Sequence, residues 1–294
     1  MSHKSMGTYH KPRMKRGWDD ISVSAIAYII GILFAVICFV PFLLVIIYSF
    51  TPYDLYLKNH FDFFPSRLTL DAYKMVLNYD YIWTGYRNTI FIAVIGTACS
   101  MILMIMTAYP MVKKDMIGHK FMTTLWIITM FFSGGMIPDY FLMRSLGLLN
   151  SLWAIILPGL LGCYNLILMR NYMEGLPVSL EEAALIDGAN DIQVLFKIVL
   201  PLCIPILATL GLFTVVGYWN SYFSAIIYQL VLREIVFESG VDEVQQGMAA
   251  EERMSAPFLL KMASIVVATV PIMLVYPFLQ KYFMTGLVLG GVKE

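Results

Sequence analysis

The stretch that decides the fold, residues 176–205, reads LPVSLEEAALIDGANDIQVLFKIVLPLCIP. Ser179, followed three residues later by Glu182, forms an S-x-x-E capping box, which predicts that a helix begins there. Gly188 predicts the end of this helix, because glycine readily adopts the left-handed conformation that closes many helices. The stretch therefore opens with a short helix of about two turns.

A second helix is predicted directly after this stop. Asn190 or Asp191 can cap it by accepting a hydrogen bond from a free backbone amide. The helix then runs through Phe196 and Ile198, and Pro201 marks the entry into a long apolar run. Proline is tolerated there because the first turn of a helix leaves its amides unpaired. These signals together predict a helix–turn–helix beside that run.

Both small and large apolar side chains lie on these two short helices. Ala183 and Ala184 would let another surface approach closely. The large apolar residues of the pair are Leu185, Ile186, Ile192, Leu195 and Phe196. Such a group either packs internally or docks on a partner, and the residues alone leave both readings open.

The composition of the whole chain points to a lipid environment. Of its 294 residues, 59% are hydrophobic and only 14% are charged, whereas a soluble domain carries about a quarter charged residues. The 20 basic and 20 acidic residues cancel. No basic excess is available to neutralise phosphates, which argues against nucleic acid as a partner.

Six runs without Asp, Glu, Lys or Arg reach the length of a membrane-spanning helix, which needs about 20 residues. These runs are Ile21–Tyr53, Asn88–Val112, Phe121–Pro138, Ser145–Met169, Ile198–Leu232 and Met262–Gln280. A charge at mid-bilayer costs about 2.5–3.5 kcal/mol, so six uncharged runs predict six spans. Gly134, Gly135 and Pro138 interrupt the third run. The sequence thus predicts an all-α, polytopic membrane protein with six transmembrane helices.

The distribution of Lys and Arg predicts the orientation, because basic residues favour the cytoplasmic side. With the N-terminus inside, 12 Lys and Arg lie on the cytoplasmic side and 8 outside. We therefore expect both termini in the cytoplasm. The predicted layout is a cytoplasmic arm over 1–20, one transmembrane domain over 21–284 and a cytoplasmic tail over 285–294.

Motifs for catalysis, ATP binding and metal binding are missing from the sequence. There is no G-x-x-x-x-G-K-[ST] phosphate loop and no H-E-x-x-H or Cys/His cluster. No predicted span carries a carboxylate or histidine for a proton relay. We therefore expect a non-enzymatic chain without a cofactor or metal of its own, which must draw energy from another chain for any active transport.

The helix–turn–helix resembles the E-A-A…G…I-x-L-P coupling loop of binding-protein-dependent ABC importer permeases. The matching residues are Glu182, Ala183, Ala184, Asp187, Gly188, Ala189, Ile198, Leu200 and Pro201. Asp187 and Ala189 complete the E-A-A-x-x-D-G-A form of the sugar branch. The resemblance implies a type I ABC importer permease fold, in which a coupling loop over 176–200 inserts into a cleft of an ATPase subunit.

Other segments resemble the MalG-like and LplC-like carbohydrate permeases of this family. They are Gly134–Ser151, Gln229–Arg233 and the tail Gln280–Lys293. The resemblance implies that Gly290 and Gly291 lie at the ATPase interface. It also implies that the outer loop Val241–Ala256 touches a binding protein.

The resemblance further implies a complete transport machine in a bacterial inner membrane. Its parts are a second, homologous permease in a heterodimer, two ABC ATPase subunits that bind ATP and Mg²⁺, and an extracytoplasmic sugar-binding protein. The implied cargo is carbohydrate, with oligosaccharide favoured. An ABC permease for a non-sugar solute and an uncoupled channel or scaffold stay open as alternatives.

Two apolar runs also carry chemistry that suits a sugar, which presents apolar C–H faces and polar rims. The candidate substrate-path residues are Tyr164, Asn165, Tyr218, Trp219, Asn220 and Tyr222. Packing between helices would explain the same residues, because polar side chains often bridge membrane helices by hydrogen bonds.

Overall fold

The computed structural model describes residues 18–58, 63–78, 80–228, 258–274 and 277. Every regular element in this described part is a helix, which confirms the all-α prediction. The helices are α1 (Trp18–Ser49), α2 (Tyr53–Lys58), α3 (Asp71–Leu77), α4 (Asp80–Val112), α5 (His119–Phe131), α6 (Met136–Ser145), α7 (Trp153–Gly159), α8 (Cys163–Glu174), α9 (Val178–Ile186), α10 (Asp191–Val194), α11 (Leu200–Leu202), α12 (Ile204–Trp219), α13 (Tyr222–Tyr228) and α14 (Phe258–Leu274). A π-helical turn, Leu195–Val199, joins α10 to α11.

The predicted spans are present as straight and bent helices. By length and composition, α1 and α4 can each cross a membrane alone. Three bent pairs also qualify when each counts as one span: α5 with α6, α7 with α8, and Asp191–Leu202 with α12. The bends are 114°, 44° and 80°, respectively. The shorter apolar helix α14 occupies the sixth predicted run, so the described helices fit a six-span permease.

The third predicted run is not one straight helix. Its first helix, α5, ends at Phe131, and α6 begins at Met136 in a different direction. Gly135 has a φ of +86°, a backbone conformation that a residue with a side chain adopts only at a cost. Apolar composition continues across this break, so hydropathy alone does not reveal it.

The core of the bundle forms where α4 packs against α8 and α12. Towards the C-terminal end of α4, Met104, Met111, Leu166 and Met169 are fully buried in one apolar cluster. Nearer the N-terminal end of α4, a second cluster includes Ile156, Tyr218 and Tyr228 among its buried residues. The first cluster packs against the short helices α9 and α10, and a polar cavity lies beside the second.

Helix α1 stands mostly apart from this core. Its apolar side chains from Val23 to Phe39 are exposed in the isolated chain. Only its end is packed, where Tyr48 and Ser49 are buried and the Ser49 hydroxyl lies 2.7 Å from the hydroxyl of Tyr73. An apolar helix with this exposure suits contact with lipid or with another membrane subunit.

Candidate coupling surface and membrane cavity

The turn between α9 and α10 forms as the sequence predicts. Gly188 has a φ of +85°, and its N–H donates to the carbonyl of Leu185 at 3.0 Å. The N–H of Ala189 donates to the carbonyl of Ala184, also at 3.0 Å. This pair of hydrogen bonds is a Schellman motif, which closes a helix and requires a left-handed residue at the glycine. The predicted stop at Gly188 is confirmed.

Asn190 caps the second helix through a reciprocal pair of hydrogen bonds. Its side-chain oxygen accepts from the N–H of Gln193 at 2.8 Å, and the Gln193 side chain accepts from the N–H of Asn190 at 3.0 Å. Of the two predicted caps, the structure therefore uses Asn190. Only Ala189 separates this cap from Gly188, so the turn between the helices is tightly specified.

The predicted capping box at the start of the first helix is wrong. Helix α9 begins at Val178 after Pro177, so Ser179 lies inside the first turn rather than before it. No side-chain cap bond forms at this end. Pro177 has an extended backbone with a φ of −62° and ψ of 116°, and its carbonyl accepts from Leu180 at 3.2 Å. The proline thus starts the helix before Ser179 can act as a cap.

Between α10 and α12 the chain forms a widened helical turn and a sharp bend that the sequence did not predict. The chain passes through the π-helical turn and α11, then bends at Cys203 before α12 begins at Ile204. Pro201 therefore lies in α11 and is not the entry to the fifth span. Ile198 and Leu200 are half-buried against the core cluster. A π-helical turn is a local widening that often occurs at functional sites.

Burial separates residues of the predicted coupling loop into two groups. Ala184, Val194 and Leu195 are buried in the core, and Ala189 packs beside them. Facing outward are Glu182, Ala183, Asp187 and Gly188. The inner group fixes the pair of helices to the bundle, and the outer group is free to meet a partner.

The exposed apolar residues of the two helices define a surface that we call the docking face: Leu185, Ile186, Ile192 and Phe196. Ile186 is 86% exposed, Ile192 67% and Phe196 62%. Of the five large apolar residues in this stretch, only Leu195 packs internally. Apolar side chains held outward on a rigid helix pair favour docking over internal packing.

An ion pair ties α9 to the end of α4. The Lys113 ammonium group donates a hydrogen bond to the Glu181 carboxylate, and the two side chains are only 32% and 18% exposed. The same ammonium lies 4.9 Å from the ring centre of Tyr109, which adds a cation–π contact. Burial lowers the pKa of Lys113, but its hydrogen bonds to Glu181 and Tyr109 outweigh this and leave the pKa raised.

A second polar link joins α4, α8 and the bend near Cys203. The Arg170 side chain donates to the carbonyl of Met111 at 3.3 Å and pairs with Glu174 at 3.0 Å. The hydroxyl of Tyr172 donates to the carbonyl of Leu202 at 3.3 Å. These contacts join α8 to the end of α4 and to α11.

A polar cavity of about 460 Å³ opens near the other end of the bundle. The polar side chains that line it are Ser100, Asp139, Asn165, Thr214, Tyr218, Ser221, Ser224 and Tyr228. They come from the helices α4, α6, α8, α12 and α13 and from the α12–α13 break. Of the six substrate-path residues predicted from sequence, Asn165 and Tyr218 line this cavity.

Tyr218 also holds helices together. Its hydroxyl donates to the carbonyl of Ile156 at 3.0 Å and lies 3.2 Å from the Ser100 hydroxyl. A Cβ atom at Gly96 would come within 2.7 Å of the Tyr218 ring, and one at Gly159 within 3.1 Å. The ring therefore fits between two glycines, and helix packing accounts for the position of Tyr218.

The other four predicted path residues do not line the cavity. Asn220 donates to the carbonyl of Val216 in its own helix at 3.0 Å, and Trp219 is half-buried. Tyr164 and Tyr222 are 62% and 72% exposed. Conversely, the sequence reading missed Asp139, whose carboxylate lines the cavity because the break after α5 turns α6 back.

Several predictions fall outside the described residues. These are the tail with Gly290 and Gly291, the loop Val241–Ala256 and the segment Gln229–Arg233. Within the described residues, no group of three His, Cys, Asp or Glu side chains could hold a metal ion. The four cysteines are free thiols.

Apolar helices long enough to cross a membrane, with a helix pair that presents an exposed apolar face, are typical of a membrane-protein subunit. The model of the family "Binding-protein-dependent transport system inner membrane component" matches residues 13–288. The chain belongs to this family, which confirms the resemblance seen in the coupling loop.

Three similar proteins match this chain over nearly its whole length. In Bacillus subtilis strain 168, the polygalacturonan/rhamnogalacturonan transport system permease protein YtcP is 44% identical over 89% of this chain and 95% of its own. Protein LplC of the same organism is 39% identical over 97% and 98%. The arabinooligosaccharides transport system permease protein AraQ of Halalkalibacterium halodurans is 31% identical over 95% and 100%.

A solved structure has the same fold. It is the crystal structure of a bacterial ABC transporter involved in the import of the acidic polysaccharide alginate. The TM-score is 0.78 at 31% identity, and the match covers 92% of this chain and 99% of the other.

Proposed function

We propose that this chain is a non-catalytic transmembrane permease subunit of an ATP-binding-cassette importer for carbohydrate, with oligosaccharide as the cargo. The observation that carries the proposal is the docking face, which a rigid helix pair holds away from the core. A separate ATPase would bind this face and drive alternating access between two states of the bundle.

The proposed complex combines this chain with three kinds of partner subunit in a bacterial inner membrane. A second, homologous permease forms a heterodimer with this chain, and two ABC ATPase subunits bind ATP and Mg²⁺, so this chain needs no cofactor. An extracytoplasmic binding protein delivers the sugar, and the bacterial inner membrane surrounds the permease pair. Both termini lie in the cytoplasm, with one transmembrane domain over residues 21–284.

Coupling would run from the docking face into the bundle through polar contacts. The outer group of coupling residues and the docking face sit in the ATPase cleft, and Gly290 and Gly291 of the tail contact the same subunit. Movement of α9 then reaches α4 through Lys113 and Glu181. The bend at Cys203 lets α12 follow with a change of angle, since neighbouring helices can absorb a bend.

Two lines of support favour carbohydrate over another solute. Two of the relatives named above are permeases of transport systems for polygalacturonan/rhamnogalacturonan and for arabinooligosaccharides, and they match over nearly the full length. The cavity also combines hydroxyl, amide and carboxylate oxygens with aromatic walls, which is the chemistry that sugar sites use.

The test is a pair of aspartate substitutions at exposed apolar residues. Ile186→Asp places a charge on the docking face, whereas Leu68→Asp alters a residue that is 70% exposed on the distant α2–α3 connection. We expect Ile186→Asp to abolish co-purification of the ATPase and sugar uptake while the chain stays in the membrane. Leu68→Asp should retain both. Normal ATPase binding and uptake in Ile186→Asp would favour an uncoupled channel or scaffold instead.

A further inference from the structure

A small pocket lies beside the docking face, between α10 and the end of α4. We infer that the ATPase that binds the docking face inserts one large apolar side chain into this pocket, and that the turn between α4 and α5 forms the outer edge of the contact. The inference rests on the proposed function, and it adds a second contact to the one that the helix pair makes.

The pocket is mostly apolar and has room for a single side chain. Its volume is about 280 Å³, just below the range of about 300–1,000 Å³ for small-molecule sites. The buried residues Tyr109 and Leu195 line it. Pro110, Met116 and Ile192 also line it. Pockets of this kind receive the anchor side chains that contribute most of the binding energy of a protein interface.

Ile192 connects the pocket to the docking face. Its side chain belongs to the docking face, and it also lines the pocket. The α4 side of the pocket is formed by Tyr109 and Pro110, near the end of that helix. A subunit that covers Ile192 therefore also lies over the pocket.

The turn between α4 and α5, residues 113–118, holds an apolar residue outward next to the pocket. The N–H of Met116 donates to the carbonyl of Lys113 at 3.2 Å, and the N–H of His119 donates to the carbonyl of Met116 at 3.1 Å. Met116 lines the pocket, whereas the next residue, Ile117, is 99% exposed. The turn thus extends one contiguous apolar patch, which marks an interaction site rather than a scattered surface residue.

Charged residues around the pocket favour a protein over lipid as the occupant. Lys113 and Asp191 line the pocket, and Lys114 and Asp115 follow in the turn. Charges of both signs around an apolar centre suit the polar rim of a protein interface. A charge at mid-bilayer costs about 2.5–3.5 kcal/mol. This end of α4 therefore lies outside the hydrocarbon, where a second subunit can reach it.

The first experiment uses the complex, purified with its own ATPase, in lipid nanodiscs. The photoreactive residue p-benzoylphenylalanine replaces Ile117, Ile186 or Leu68, one at a time, and mass spectrometry identifies the molecule that each position crosslinks. We expect ATPase adducts from positions 117 and 186. Position 68, on the distant α2–α3 connection, should give none. An adduct of position 117 with lipid alone, or no adduct there, would overturn the inference.

The second experiment measures the Kd of the ATPase for the permease pair in nanodiscs. Met116→Trp fills the pocket with a larger side chain and should weaken binding about tenfold, the loss expected when one anchor side chain is displaced. Met116→Leu nearly conserves the volume and should bind like the wild type. An unchanged Kd in Met116→Trp would count against the pocket, and the crosslinking result decides if that variant fails to assemble.

The outcomes separate this inference from the proposed function. An ATPase adduct at position 186 with none at position 117 would overturn the inference alone. A complex that gives no ATPase adduct at either position would overturn the proposed docking, and the inference with it.

Discussion

Removal of the ion pair between Lys113 and Glu181 should uncouple the docking face from the bundle. An exposed pair contributes about 0.2–1 kcal/mol, and breaking a buried pair costs about 3–5 kcal/mol. The two side chains are 32% and 18% exposed, so we place this pair between those limits, at about 1–2 kcal/mol. A loss of this size changes an equilibrium about 5–30-fold, which sets the expected fall in uptake for Lys113→Ala.

The assay is a double-mutant cycle on sugar uptake by the reconstituted complex. Lys113→Ala, Glu181→Ala and the double variant should show a coupling energy of about 1–2 kcal/mol, since each single change already removes the interaction. ATP hydrolysis per sugar moved should rise, because the ATPase still turns over. The exchanged pair, Lys113→Glu with Glu181→Lys, should recover part of the uptake but not the cation–π contact with Tyr109.

A neighbouring lysine supplies the control for this cycle. The Lys114 ammonium nitrogen lies 3.6 Å from a carboxylate oxygen of Glu174, and the lysine side chain is 75% exposed. Lys114→Ala should therefore reduce uptake less than about fivefold. Additive effects of Lys113→Ala and Glu181→Ala, or equal effects of Lys113→Ala and Lys114→Ala, would refute the reasoning.

Two glycines and the pH response of Lys113 give three further predictions. Gly188→Val should lower uptake at least about fivefold with the chain still in the membrane, because a β-branched residue at this positive φ costs at least about 1–2 kcal/mol. Gly188→Asn should retain most uptake, and equal loss in both would contradict this. Gly96→Ala should lower the melting temperature of the purified complex, because the added Cβ would meet the Tyr218 ring at 2.7 Å; Gly85→Ala, with open space around it, should not. The raised pKa of Lys113 means that its ion pair is intact below the ordinary lysine pKa of about 10.4 and is lost only as pH rises through the raised value. The uptake ratio of Lys113→Ala to wild type should therefore stay constant from about pH 7 to 9, and a change within that window would count against the pair.

The sequence predicted the parts of the coupling loop that local chemistry decides. Gly188 and Asn190 act through hydrogen bonds within five residues, so their roles can be read from the chain alone. Ser179 failed as a cap because Pro177 starts the helix earlier, and two local signals there compete. Packing against α4 and α8 decides whether Leu195 or Phe196 faces the core. A local sequence pattern contains no information about that packing.

The described helices are consistent with the predicted membrane segments, but their shape was not predictable. Uncharged apolar residues continue through both Cys203 and Gly135, so the apolar runs hide the bends. The bend at Gly135 places Asp139 in the cavity, and this placement depends on Met143 packing against distant helices. In the sequence, the signal for this bend was the pair of glycines, Gly134 and Gly135, in the third run.

The length of α1 has a consequence for the bilayer around it. Its apolar part, Ser22–Ser49, has 28 residues and is about 42 Å long at 1.5 Å per residue. A hydrocarbon core of about 30 Å cannot cover that length if the helix stands upright. The helix must tilt, or the surrounding lipid must thicken. Because few contacts with the other described helices fix its angle, α1 should lean further in a thin membrane than in a thick one. The acyl-chain length of the lipid should therefore affect this subunit.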